Sequence, residues 1–185
     1  EANSENIIYG TQIASAYIIN NDFENSAEWI ELYENTKEVD SKSIYTRILL
    51  DLYSSDDLNT FINSINLTLS TYNYTQDIDN NELLFVLKSV MNLDISPQNK
   101  INLDKIFDNR PMPSILLIDE INKTINNKDD GKFLLYSLIS LNDKSWNDIH
   151  PEHLMLILKG YLQYKDGTLF RNLVLEVLKS YNFII

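Results

Sequence analysis

The chain has 185 residues, 27 acidic against 15 basic for a net charge of −12, with 44% hydrophobic and 23% charged side chains. That is apolar material for one domain or two small ones, while a surface this negative repels phosphate backbones and argues against a nucleic-acid partner. The absence of cysteine excludes a disulfide frame, a thiolate metal site and a cysteine nucleophile, and four glycines leave little room for phosphate-cradling loops or many tight turns.

Apolar spacing is helical almost throughout. It predicts helices over 7–20, 24–35, 41–54, 56–72, 79–93, 98–108, 113–126, 129–142, 151–165 and 168–182. Within 41–54, Ile44, Ile48, Leu49, Leu52 and Tyr53 form one stripe, with Lys42, Arg47 and Asp51 off it. Ser55, ahead of Asp56 and Asp57, is the expected N-cap of the next helix. The 56–72 segment carries two patterns. Ile65, Leu67 and Leu69 alternate with Asn66, Thr68 and Ser70 as in a strand, while Leu58, Phe61, Ile62, Ile65, Leu69 and Tyr72 form a helical stripe. Pro97 and Pro151 each sit where a helix opens. Leu154 to Leu158 is apolar nearly all round, which predicts a helix buried between neighbours, and Leu169 to Tyr181 returns to a one-sided stripe. The implied connections are two to six residues long, as between antiparallel neighbours. The predicted fold is therefore all-α: an array of antiparallel helical hairpins, an α-solenoid or right-handed superhelix of about nine or ten helices, in a single domain over 1–185. The longest uncharged run, Leu58 to Gln76, is broken throughout by Asn, Ser and Thr, so no membrane span is expected. Because it opens on Glu1-Ala2-Asn3 without an initiator Met, the chain is expected to be a fragment of a longer or processed protein, cytoplasmic or periplasmic.

The first two helices carry Ala14, Tyr17, Asn21, Phe23, Ser26, Ile30 and Tyr33. This spacing resembles one tetratricopeptide-type hairpin: a small residue and an aromatic on the first helix, a turn, an aromatic, then a small residue opening the second. The match covers about 25 residues, with Asn21 where that pattern has glycine and Ser26 where it has alanine. The resemblance implies a binding scaffold rather than an enzyme.

Ile115 to Ile118 followed by Asp119 and Glu120 is similar to the magnesium-holding strand of a P-loop nucleotidase. That chemistry also needs a glycine-rich loop ending in Gly-Lys-Ser or Gly-Lys-Thr, and the only Gly-Lys here is Gly131-Lys132, followed by Phe133. The run is expected to be a buried helix with a polar exit, and no nucleotide is expected. His150 and His153, the two histidines, share one helical turn with Glu152 nearby, too few ligands for a fixed metal site. No Gly-x-Ser-x-Gly elbow is present, and with both histidines on one turn a Ser-His-Asp triad has no support. Neither a catalytic residue nor a metal or other cofactor is therefore expected.

What remains is a binding reading. Trp146, His150, His153 and Tyr164 gather aromatic and imidazole groups around one helix start, and are the candidate residues bordering a partner surface. Their histidines would make attachment depend on pH between about 5 and 8. The expected function is a non-enzymatic helical-repeat scaffold holding a peptide or protein partner. The alternatives are an acidic chaperone or immunity-type protein masking a basic partner, or the helical accessory domain of a larger enzyme.

Overall fold

Aspartates and serines fix where the helices start. The computed structural model describes residues 4–37, 39–71, 82–93, 109–163 and 167–181, and every regular element among them is helical. They are α1 (Gly10–Ile19), α2 (Phe23–Thr36), α3 (Ser41–Ser54), α4 (Leu58–Thr71), α5 (Glu82–Val90), α6 (Ile115–Asn127), α7 (Asp130–Leu141), α8 (Pro151–Leu162) and α9 (Gly167–Ser180), with 3-10 turns at Ser4–Tyr9 and Trp146–Asp148. The predicted helix over 98–108 lies outside the described residues. The ambiguous 56–72 segment is helix, with Phe61, Ile65 and Leu69 buried on one stripe.

Side chains of Asp22, Asp40, Ser114 and Asp129 each accept the backbone N–H three residues on, at 3.3, 2.9, 3.3 and 3.3 Å. Each such cap stabilises its helix by about 1 kcal/mol. Ser114 explains why α6 starts at Ile115, two residues later than the 113–126 expectation. Ser55 is not the cap of α4: its hydroxyl turns back to the Asp51 carbonyl at 2.6 Å, and Asp57 takes the role by accepting the Thr60 N–H at 3.0 Å. Turns here use residues other than glycine, since Asn21, Asn92, Lys128, Asn142 and Asp143 adopt positive φ. Asparagine tolerates that region because its short side chain bonds locally.

The helices gather into two compact units, divided after Leu93. In the first, α1 and α2 form a hairpin with Ala14, Trp29 and Ile30 buried together, and Ile13, Tyr17, Leu32 and Leu50 packed around them. Gly10 lets α1 approach α2 closely: a Cβ there would stand 3.0 Å from the Tyr33 side chain. The Tyr33 hydroxyl then donates to Asp40 at 2.9 Å, so one carboxylate both caps α3 and ties it to α2. Burial, aided by Asp40, pushes the Tyr33 hydroxyl up to about 12. Beside it, Arg47 on α3 grips Glu34 on α2 through two nitrogens, Nε to Oε1 at 3.0 Å and Nη2 to Oε2. One turn on, Asp51 accepts the Thr68 hydroxyl of α4 at 2.8 Å.

In the second unit, α6 and α7 pair as a hairpin, with Ile121 and Thr124 buried on α6 and Phe133 and Ser137 on α7. α8 and α9 also pair, with Leu154, Ile157 and Leu158 buried on α8 and Phe170, Leu173, Val174 and Val177 on α9. Phe133 links the pairs. Its ring meets Tyr161 edge-on, centroids 5.3 Å apart at 73°, and lies over Gly160, where any Cβ would overlap it.

Two stability outcomes follow from these contacts. Burial raises the Asp51 carboxyl from 3.8 to about 6, against the opposing pull of Thr68 and Arg47. A folded-state value above the unfolded one means stability is fully present below about pH 4 and falls as pH rises through 6. Asp51→Asn should therefore stabilise the chain by about 1 kcal/mol at pH 7 and not at pH 4; urea unfolding at both pH values measures this, and an equal effect at both would refute it. Gly160→Ala should destabilise by about 1–3 kcal/mol despite alanine's better helix propensity. Thermal unfolding tests it, with partial recovery expected when Phe133→Leu is added.

Candidate functional site

Of the expected site residues, Trp146 and His150 are half-buried and His153 is buried. Trp146, half-buried, begins the 3-10 turn before α8. That turn is pinned through Asn147, whose N–H donates to the Ser180 hydroxyl at 3.3 Å and whose side-chain oxygen accepts from it at 3.2 Å. Arg110 Nη1 donates to the Asn147 carbonyl at 3.1 Å, and Ile149 drops into the core. His150 is the N-cap of α8: its Nδ1 accepts the Glu152 N–H at 3.3 Å, a local structural task. Tyr164 lies outside the described residues.

His153 corrects the sequence reading most sharply. It is 1% exposed, facing inward beside Leu154, Ile157 and Leu158 rather than bordering a surface. Its Nε2 sits 2.8 Å from the Ser140 hydroxyl on α7. That hydroxyl has one hydrogen, given to the Ser137 carbonyl at 2.7 Å, so the imidazole nitrogen donates and Nδ1 is left bare. Burial first, then the charges of Lys144 and His150, lower the imidazole from 6.5 to about 4. The group is therefore neutral throughout the pH 5–8 window in which it was expected to titrate. Nothing local signals this, because a histidine one turn into a helix fits either face until its neighbours are known.

A hydroxyl beside an imidazole is the start of nucleophilic chemistry, but this pair is closed to it. Ser140 is 8% exposed and its proton is committed to a backbone carbonyl. Ser137, one turn earlier, is buried with its own hydroxyl unpartnered, a cost of about 1–3 kcal/mol. No group of three or more potential metal ligands forms among the described residues.

The surface feature that sequence reasoning missed lies on the other side of the same helix. Leu135, Leu138 and Ile139 of α7 stand at i, i+3 and i+4 and are 54%, 65% and 54% exposed. Gly131, one turn earlier on this face, meets nothing within 4 Å at its would-be Cβ. The run expected to be a buried helix is helical but not buried: Ile115 and Leu116 are 80% and 75% exposed. Because α6 and α7 run antiparallel as a hairpin, the first turn of α6 lies at the end that carries Leu138 and Ile139. Lys123 is held by Asp119 and Glu120 at 2.6 and 2.9 Å, and Lys132 by Asp129 at 2.8 Å, so both cations are neutralised within the hairpin. The only sequence signal was the α7 pattern itself, apolar on both faces, which marks a helix with something to bury on each side. No helix among the described residues is long and apolar enough to cross a membrane. Comparison of the chain with protein-family models, with curated proteins and with solved structures finds no match.

Proposed function

We propose that this protein is a non-enzymatic helical-hairpin scaffold whose second unit holds a protein partner on the outer face of α7 and the first turn of α6. The observation that carries this reading is the exposure of Leu135, Leu138 and Ile139 on one stripe, at the hairpin end where Ile115 and Leu116 are also exposed. Leaving five large aliphatics in water forgoes burial, which for each would be worth about 1.5–3 kcal/mol if complete, and grouped apolar exposure of this kind marks interaction surfaces. A stripe at i, i+3 and i+4 between two antiparallel helices takes the apolar side of an amphipathic helix. The tetratricopeptide-type resemblance of the first hairpin points the same way, toward binding rather than chemistry. The net charge of −12 favours a partner with basic residues flanking its apolar stripe.

A photo-reactive side chain at position 138 should crosslink to a partner in extract, while the same group at Leu67, an exposed leucine of the first unit, should not. Leu135→Lys combined with Leu138→Lys should lower recovery of that partner at least tenfold with the helical content unchanged. Undiminished recovery by the folded variant would sink the assignment.

A further inference from the structure

The α7–α8 seam of the second unit has the composition of a chemical trigger. It joins a fully buried imidazole, two buried serines and the Phe133–Tyr161 edge contact, with no carboxylate among the described residues that act on the imidazole. The charges felt there are those of Lys144, in the connection leaving α7, and His150, at the start of α8. From α9, Glu176 acts on Tyr161, about two turns further along α8.

We propose that His153 is a proton-operated latch: protonation of its bare Nδ1 places an uncompensated charge inside the α7–α8 seam and opens the second unit. Neutral His153 holds the seam together by donating from Nε2 to Ser140 Oγ, which passes its own hydrogen to the Ser137 carbonyl, a chain linking the two helices with every proton placed. A second proton on the ring keeps that bond but adds a cation to a buried site, where the charges acting on it among the described residues are those of Lys144 and His150. Folded His153 resists protonation down to about pH 4, whereas the opened chain takes the proton near the ordinary 6.5. Acid therefore favours the open form, with stability lost progressively as pH falls from about 6.5 toward 4. Asp51 in the first unit has the opposite sign, being relieved by acid over nearly the same range. Acidification thus loosens one unit while strengthening the other. The latch rests on the seam alone and holds whether or not the outer face of α7 takes a partner.

The test uses the full chain without any partner. Imidazole resonances are followed by NMR from pH 7 to 3.5, and amide exchange, corrected for its intrinsic pH dependence, is compared between the two units. His153 should titrate near pH 4, and amides of α7 and α8 should lose protection roughly 10- to 20-fold between pH 7 and 5, while those of α3 and α4 do not. In His153→Gln, whose amide can still donate to Ser140, the α7 and α8 loss should disappear. If that variant does not fold, the paired change His153→Leu with Ser140→Ala makes the seam apolar and should likewise abolish the loss. Titration of His153 above pH 6, or the same α7 and α8 profile in a folded variant, would overturn the proposal.

Discussion

Short closures decide how the helices pair. A connection of two or three residues between antiparallel helices uses one residue in the left-handed region, and the chain supplies Asn21 between α1 and α2 and Lys128 between α6 and α7. With so little slack, the faces that meet are fixed by where each helix starts. The capping aspartates therefore act on tertiary packing as well as on local structure. Asp22 and Asp129 stand directly after the left-handed residue, so each hairpin turns and begins its next helix within the same two positions. A left-handed lysine costs more than a left-handed asparagine, and Lys128 carries that cost because the N–H groups of Lys128 and Asp129 both find carbonyls at the end of α6, at 3.1 and 3.0 Å.

Within both units, the seams between helices carry polar groups where aliphatics would pack more cheaply. Apolar stripes on helices can slide by a turn with little penalty, whereas a buried carboxyl or imidazole has one partner and one register. In the first unit that register is fixed by Tyr33 with Asp40, Arg47 with Glu34, and Asp51 with Thr68, taking α2, α3 and α4 in turn. The second unit achieves it with His153 and Ser140. The difference lies in the sign of the buried group. An acid that is raised and a base that is lowered both resist the charged form inside, but protons move them in opposite directions, so the two buried groups respond to pH with opposite sign.

Much of the helical layout was legible because its signals are local. Apolar periodicity placed α3 at its observed limits over 41–54, and most other helices within about two residues, since a stripe and a cap need only a few neighbouring residues to declare themselves. What stayed illegible depends on contacts distant in sequence. Ser55 has a good capping residue's chemistry, yet the α3 backbone ended close enough to take its hydroxyl first. Ile115 to Ile118 has a core sequence, but Ser114 starts the helix at Ile115 and its first two aliphatics stand exposed, covered by no neighbour among the described residues. His153 was assigned outward because polar residues usually are. Only the serine thirteen residues earlier, brought alongside by the fold, makes an inward imidazole tolerable.

The same helix, α7, shows how a small unit can keep an apolar face exposed without collapsing onto it. One side presents Phe133, Ser137 and Ser140 to the core, and the other presents Leu135, Leu138 and Ile139 to water. A helix apolar on both sides has two competing ways to bury itself, differing by half a turn about its axis. The inner face wins because it offers what the outer one lacks: a donor from His153, an edge-on ring from Tyr161, and a glycine at 160 that admits Phe133 to backbone distance. Those directional contacts choose the orientation, and hydrophobicity alone does not. The outer leucines remain exposed because the polar seam has settled which way the helix faces, and the polarity buried inside the unit is what keeps its apolar surface available outside.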